Sequence, residues 1–139
     1  LLPLGPEDDK WNAGQARKRL RAWATDKKTG KVNFKKYARA FLYAGPGASH
    51  KLGAYKLPVA DVYDTRGGER LYALPHAIEA AASVLDGGRG GVDIPKSAKA
   101  KAKATIARYY AKMKKTAPWK RARRNPSKTL RGFAKGGNK

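Results

Sequence analysis

The side chains that could carry catalytic chemistry are three carboxylates in the middle of the chain, Asp61, Asp64 and Glu69, and two histidines, His50 and His76. A hydrolytic metal site needs carboxylates or imidazoles that converge on one cation. Asp61, Asp64 and His76 are the best candidates for such a set, but their spacing matches no metal-binding motif. Asp64 is explained more simply as a turn residue before two glycines, and His76 as a residue in the first turn of a helix. We therefore expect neither a metal ion nor an enzymatic activity.

Two other patterns that could serve catalysis or phosphate binding are weak. None of the serines has the glycine-flanked elbow that exposes a catalytic nucleophile. The Gly-Gly-Arg-Gly-Gly segment at residues 87–91 could cradle a phosphate, because glycines let backbone N–H groups approach closely and Arg89 adds a guanidinium fork. No predicted strand precedes this segment in the order that a P-loop or a dinucleotide fold requires. A helix end followed by a tight turn is the preferred interpretation.

The composition itself indicates the kind of partner. The chain has 139 residues, with 32 Lys and Arg against 10 Asp and Glu, so its formal net charge is +22 and its pI is near 10.5. Such a chain repels itself unless an anionic partner neutralises it. The absence of cysteine excludes disulfide scaffolds, Cys-bearing zinc fingers and thiol catalysis. The length suits one domain, and no apolar stretch approaches the roughly 20 residues that cross a bilayer.

The charge is concentrated towards the C-terminus. Residues 1–93 hold 16 basic and all 10 acidic residues, whereas residues 94–139 hold 16 basic residues and no acidic one. Each Lys or Arg that reaches a phosphate releases condensed counterions, so the pattern predicts nucleic-acid binding that depends steeply on salt and little on sequence. No helix-turn-helix, RNP motif or zinc finger is present to read base edges. An anionic membrane is disfavoured because apolar anchors are sparse in the tail.

We expect this partner to be nucleic acid, with DNA favoured over RNA. We expect the protein to need no cofactor. The residues predicted to contact it lie in the first helix, the last helix and the tail: Arg17, Lys18, Arg21, Lys99, Lys103, Lys120, Arg121, Arg123, Arg124 and Arg131.

Hydrophobic spacing and capping residues predict four helices. Asn12 and Asn33 are candidate N-caps of the first two, and apolar residues at helical spacing over 34–42 predict that the second is about ten residues long. Pro75 suits the first turn of the third helix, and Ser97 is a candidate cap of the fourth. The fourth helix is expected to carry its lysines on one side: Lys99, Lys101, Lys103 and Lys112.

The predicted fold is therefore mainly α, of the α+β class: a small four-helix domain with a candidate short β-hairpin at 55–73. Pro58 restricts that hairpin, because proline fits only an edge strand or the first residue of a strand. The domain covers residues 11–113 and follows an irregular N-terminal arm at residues 1–10. Residues 114–139 form a basic tail, which we expect to be extended or disordered, because prolines and glycines interrupt it and it has no apolar stripe.

Several segments of the chain resemble a small domain found in tailed bacteriophages. They are Trp-Asn-Ala at 11–13 with Ala16 and Arg-Ala-Trp at 21–23, residues 55–62, residues 80–95, and Ala-Arg-Tyr-Tyr-Ala-Lys-Met at 107–113. The most specific parts are Lys-Leu-Pro-Val-Ala-Asp at 56–61 and Gly-Gly-Arg-Gly-Gly-Val-Asp-Ile-Pro at 87–95. That domain occurs alone or appended to head-maturation proteases and other phage head proteins. The resemblance covers about residues 11–113, implies a phage and head-associated setting, and transfers no catalytic residue. The long acid-free tail departs from the pattern.

These observations together predict a non-enzymatic, sequence-nonspecific nucleic-acid-binding protein of phage origin that is associated with the virion head and contacts packaged DNA. Two alternatives stay open: a minor capsid or cement protein whose main partner is the capsid protein, and a phage-encoded regulator that binds a host protein or RNA. The expected location is the virion or the host bacterial cytoplasm. Residue 1 is leucine, which suits a chain that was proteolytically matured or trimmed from a longer one.

Overall fold

The computed structural model of the protein describes residues 1–123 and shows a mixed α+β fold. The described part contains five α-helices and two antiparallel sheets of two strands each. In chain order the elements are α1 (Ala13–Ala24), α2 (Phe34–Ala38), β1 (Phe41–Ala44), β2 (Tyr55–Pro58), β3 (Ala60–Thr65), β4 (Gly68–Ala73), α3 (Pro75–Leu85), α4 (Lys96–Lys112) and α5 (Pro118–Arg123). Among these helices, none combines the length and the apolar character that a membrane span requires.

The prediction of a four-helix, mainly α domain is wrong, and its largest error lies in the second helix. That helix ends after Ala38, and the chain then enters β1 at Phe41. Strand β1 pairs with β2 in antiparallel register, from Phe41 opposite Pro58 to Ala44 opposite Tyr55. The apolar spacing that suggested a helix is equally compatible with a short strand, and the distant strand β2 decides between them.

The hairpin predicted over 55–73 is found over Ala60–Ala73 instead, because Tyr55–Pro58 pairs with β1. Strands β3 and β4 pair from Ala60 opposite Ala73 to Thr65 opposite Gly68, so Arg66 and Gly67 form a two-residue connection. Gly68 has a φ of 101°, a value that side chains with a Cβ rarely adopt. The hydroxyl of Thr65 donates to the Gly68 carbonyl at 2.6 Å and closes the turn.

Three of the four predicted helix starts are confirmed. Asn12 accepts a hydrogen bond from the Gln15 N–H, and Asn33 accepts one from the Lys36 N–H, so both predicted N-caps are confirmed. Pro75 is the first residue of α3, as predicted. Helix α4 begins earlier than expected, with Pro95 and not Ser97 at the N-cap position.

Two hydrophobic clusters hold these elements together. We name each cluster after a helix whose buried residues belong to it. The α1 cluster consists of Leu20, Ala24, Tyr37, Ala40, Tyr55, Ala60 and Leu71. The α4 cluster consists of Leu57, Val59, Ala73, Ile78, Ala81, Ala82, Leu85, Ile94, Ala102, Ile106, Tyr109, Tyr110 and Ala117. Strand β1 lies between them, since Phe41 packs against the first cluster and Leu42 and Tyr43 pack against the second.

Segments from both ends of the described chain pack on the α4 cluster. Leu4 in the arm forms a parallel bridge with Ala73 of β4, and the Leu2 N–H donates to the Tyr109 hydroxyl at 3.0 Å. At the other end, Ala117 is 2% exposed and Trp119 of α5 packs against the same cluster. The expectation of an extended or disordered tail is therefore wrong for its described part. Its remainder, residues 124–139, lies outside the described residues.

Candidate nucleic-acid interface

Helix α1 presents two of its three predicted binding residues to solvent. Lys18 and Arg21 are exposed. Arg17 is half-buried, because its guanidinium donates to the Tyr55 carbonyl at 3.0 Å and lies 4.9 Å from the centre of the Phe41 ring. Arg17 thus fastens α1 to the β1–β2 sheet, and Lys18 and Arg21 are the α1 residues that remain available to a phosphate.

The lysines of α4 lie on two flanks of the helix. The prediction that they share one side is therefore wrong. At 3.6 residues per turn, Lys99 and Lys103 share one flank with Lys96, whereas Lys101 and Lys112 fall on the other. The contacts agree with this division. The ammonium of Lys103 lies 5.3 Å from the centre of the Trp119 ring in α5. The ammonium of Lys112 instead donates to the Leu2 carbonyl of the arm at 3.1 Å.

Helix α5 extends the first of these flanks. Trp119 is partly exposed and Lys120 is exposed beside it. Arg121 and Arg123 also belong to α5, whereas Arg124 and Arg131 lie beyond the described residues. We call the combined surface the α4–α5 face, which consists of Lys96, Lys99, Lys103, Trp119 and Lys120. Lys96 is absent from the predicted set, although its spacing of three and seven residues from Lys99 and Lys103 is visible in the sequence.

No carboxylate neutralises the α4–α5 face from within its own stretch of chain, since residues 94–139 contain no Asp or Glu. Within residues 1–123, none of its four lysines forms an ion pair. The neighbouring Lys115 behaves differently, because its ammonium lies 3.2 Å from Glu79 and 4.0 Å from Glu7. The face therefore offers uncompensated positive charge next to a partly exposed indole, a combination that suits phosphates and unstacked bases.

The candidate metal ligands Asp61, Asp64 and His76 are not brought together. Asp61 is buried and held by Arg19. Asp64 faces Glu69 across the β3–β4 hairpin, and His76 lies 3.4 Å from Glu79 on α3. In the described part of the chain, no group of three such side chains is placed to hold a metal ion. The three candidate ligands therefore lie in separate places: Asp61 in the pair with Arg19, Asp64 opposite Glu69 near the hairpin tip, and His76 beside Glu79 on α3.

The glycine-rich segment at 87–91 ends a helix, as its preferred interpretation predicts. Gly87 follows the C-cap Asp86 with a φ of 97°, which is the left-handed conformation that glycine adopts after a helix. Gly88 lies so close to α3 that a Cβ atom there would be 2.5 Å from the Ser83 hydroxyl. Helix termination and close packing account for these two glycines.

The fold and the site together define a small, strongly basic α+β protein with a lysine face on its last two described helices, in which Lys96 and Lys120 are exposed and Lys99 and Lys103 are half-buried. Comparison of the chain with protein-family models, with curated proteins and with solved structures found no match. The function must then be inferred from the charges and contacts of the α4–α5 face itself.

Proposed function

We propose that the protein binds nucleic acid without sequence specificity and without enzymatic activity, and that the α4–α5 face is its main contact surface. The observation that carries this proposal is the set of four lysines on this face. They form no ion pair within residues 1–123, and they lie in a stretch of chain without any carboxylate. Duplex DNA is the preferred target.

The chemistry of α4 favours the backbone of the nucleic acid over its bases. Lysine binds phosphate as a mobile point charge, and each contact releases condensed counterions. Base readout depends on side chains such as Asn, Gln or Arg that form two hydrogen bonds to one base edge. The α4 side of the face carries lysines only, so its binding energy is independent of sequence.

The resemblance to the tailed-phage domain extends the proposal to a location. In a phage head, a protein with this charge would neutralise phosphates of the packaged genome, because each bound lysine replaces a counterion. We therefore place the protein in the virion, in contact with DNA, or in the host bacterial cytoplasm before assembly.

The test measures binding of the full chain to a labelled duplex of about 30 base pairs while salt is raised from about 50 to about 300 mM, with a second duplex of unrelated sequence. We expect a steep loss of affinity with salt and equal affinity for both sequences. The variant Lys96→Gln/Lys99→Gln/Lys120→Gln should flatten the log–log salt slope by about 2.7, since each lost contact contributes about 0.9. It leaves the Lys103–Trp119 contact intact.

The matched control is Lys10→Gln/Lys51→Gln/Lys101→Gln, which removes the same charge from exposed lysines outside the face. Lys101 is the sharpest part of this control, because it lies on the other flank of the same helix. Equal effects of the two variants would show that only net charge matters and would contradict the assignment to the α4–α5 face. Weak binding of the unmodified chain at the lowest salt would overturn nucleic acid as the partner and favour an acidic protein surface, such as that of a capsid protein.

A further inference from the structure

A second basic surface lies where α1 turns into α2. It consists of Arg21 at the end of α1, Lys27, Lys28 and Lys31 in the connecting turn, and Lys35 in α2. All five side chains are exposed. Within the described chain, none of them forms an ion pair. We call this surface the α1–α2 corner.

The lysines of the α1–α2 corner are presented by an ordered turn. A carboxylate oxygen of Asp26 accepts hydrogen bonds from the N–H groups of Lys28 and Thr29, at 2.8 and 3.0 Å. The Asp26 N–H donates to the Lys31 carbonyl, and the Gly30 N–H donates to the Asp26 carbonyl, at 2.8 Å each. The one acidic side chain of the turn is therefore occupied by the backbone, and three lysines project from a closed loop.

Contacts between the two helices fix the base of the corner. Lys36 donates to the Trp23 carbonyl at 3.0 Å, and its ammonium lies 4.4 Å from the centre of the Trp23 ring. These contacts join α2 to the end of α1. Lys36 is thereby used internally, whereas Lys35 next to it remains exposed.

The corner and the α4–α5 face are carried by elements that pack on different hydrophobic clusters, since Trp23, Val32 and Phe34 pack on the α1 cluster and Trp119 packs on the α4 cluster. Ala73 at the base of the hairpin belongs to the α4 cluster. Near the tip, Asp64 and Glu69 line a cleft together with Lys27 and Trp23. Four residue steps along each strand lead from the pair Ala60–Ala73 at the base to the pair Asp64–Glu69, a distance of about 13 Å at about 3.3 Å per residue. Because the two acidic residues offset Lys27, the charge of the corner rests on its other four members.

We infer that the protein bridges two nucleic-acid segments, with one on the α4–α5 face and the other on the α1–α2 corner. This inference rests on the proposed function. Two basic surfaces whose elements pack on different hydrophobic clusters leave one surface free when the other is occupied by a duplex. The free surface then attracts a second phosphate backbone through the same counterion release, so one protein molecule holds two duplexes together.

The experiment immobilises one duplex on beads, adds the full-length protein and measures capture of a second, fluorescent duplex of unrelated sequence at low salt. The variant Lys28→Gln/Lys31→Gln/Lys35→Gln removes charge from the corner, and Lys10→Gln/Lys51→Gln/Lys101→Gln is the control of equal charge. We expect the corner variant to lose capture about tenfold or more and to keep most of its affinity for a single duplex. The control should retain capture.

The outcomes separate this inference from the proposed function. Binding of the single duplex without capture of the second one by the unmodified protein would overturn bridging alone. Capture by the corner variant at the level of the control would also overturn it, because bridging would then arise from self-association or from the α4–α5 face. Failure to bind even the single duplex would overturn the proposed function together with the inference.

Discussion

Arg19 in α1 and Asp61 in β3 form a forked ion pair that joins two elements of the α1 cluster. The guanidinium donates from Nε to Oδ1 at 3.0 Å and from Nη2 to Oδ2 at 2.6 Å, and hydrogen bonding to this carboxylate raises the pKa of Arg19. Asp61 is the one buried charged residue of the described chain, with 6% of its surface exposed. Its Oδ1 also accepts the Val62 N–H at 2.7 Å. This bond satisfies a backbone donor of β3, a strand that pairs with β4 alone. Asp61 is therefore explained as a structural residue.

Replacement of Arg19 by Gln should destabilise the fold. The change leaves the Asp61 carboxylate buried without a cationic partner, which costs about 3 to 5 kcal/mol in a fully buried pair. Because half of the Arg19 side chain is exposed, we expect a smaller loss of about 2 kcal/mol in the free energy of unfolding, measured by urea denaturation. The control Lys18→Gln removes an exposed charge one residue away and should change stability by less than about 0.5 kcal/mol. Equal losses in both variants would contradict a specific role for the ion pair.

Features that depend on neighbouring residues could be predicted from the sequence. Asn12 and Asn33 cap helices because their side chains reach N–H groups three residues ahead. Ala16, Leu20 and Ala24 are buried at helical spacing on α1, as the pattern predicts. These signals act within one turn of helix, so no distant partner is needed to interpret them.

Features that depend on distant partners were missed. Phe41 joins a strand because β2 lies beside it, and Ala117 is buried because α3 and α4 already form a surface to receive it. Among the candidate catalytic residues, Asp61 is held by Arg19, which is 42 residues away in the sequence. The division of the α4 lysines into two flanks follows from helical spacing, but the neighbours of each flank, Trp119 on one side and the arm on the other, are distant in the sequence. Lysine side chains do not contribute to the hydrophobic pattern of the sequence, so that pattern does not show which residues lie beside them.

Lys114 occupies a backbone conformation that favours glycine, so Lys114→Gly should stabilise the protein. Its φ is 59°. The hydrogen bonds from the N–H of Lys115 to the Tyr110 carbonyl and from the N–H of Lys114 to the Ala111 carbonyl form a Schellman motif after α4. Removal of the Cβ at this left-handed position should raise the free energy of unfolding by about 1 kcal/mol.

The matched variant is Lys112→Gly, two residues earlier in the last turn of α4. Glycine within a helix is less stable than other residues by up to about 1 kcal/mol, and this variant also loses the contact with the Leu2 carbonyl. The two substitutions, compared by chemical denaturation, should therefore have opposite signs. Destabilisation by both would show that Lys114 is not strained.

Alkaline conditions should unfold the protein because three tyrosines resist ionisation. Burial raises the pKa of Tyr55 and Tyr109, and burial together with a hydrogen bond to the Asp9 carboxylate raises the pKa of Tyr63. The folded state thus favours the protonated phenols. Their contribution to stability is complete below the ordinary tyrosine pKa of about 10 and is lost as pH rises above it, towards the raised values.

A pH titration of phenolate absorbance, followed in parallel with circular dichroism, measures this effect. We expect some of the seven tyrosines to ionise only as the helical signal disappears. Tyr109→Phe should make the loss of stability with pH less steep, and at neutral pH it should cost about 1 kcal/mol, because the Leu2 N–H loses its acceptor. Ionisation of all tyrosines near pH 10 in a chain that stays folded would contradict the burial of these three phenols.

Two C-terminal truncations compare residues 124–139 with the described part of the tail that packs on the α4 cluster. A chain ending at Arg123 keeps Ala117 and Trp119 in contact with the α4 cluster. Its stability should change by less than about 0.5 kcal/mol. The segment removed, residues 124–139, contains five basic residues. If each of these contacts one phosphate, the log–log salt slope of duplex binding should flatten by up to about 4.5.

A chain ending at Lys115 should behave differently in thermal or urea unfolding. It loses Ala117, which is 2% exposed, and the indole that packs on the α4 cluster and contacts Lys103. Loss of this apolar contact should lower the free energy of unfolding by about 2 to 3 kcal/mol. A tail that begins at residue 114 and makes no contact with the domain would instead leave both truncated chains equally stable. Unequal stability, combined with weaker duplex binding by the chain ending at Lys115 than by the chain ending at Arg123, would show that α5 belongs to the folded domain and also carries part of the binding surface.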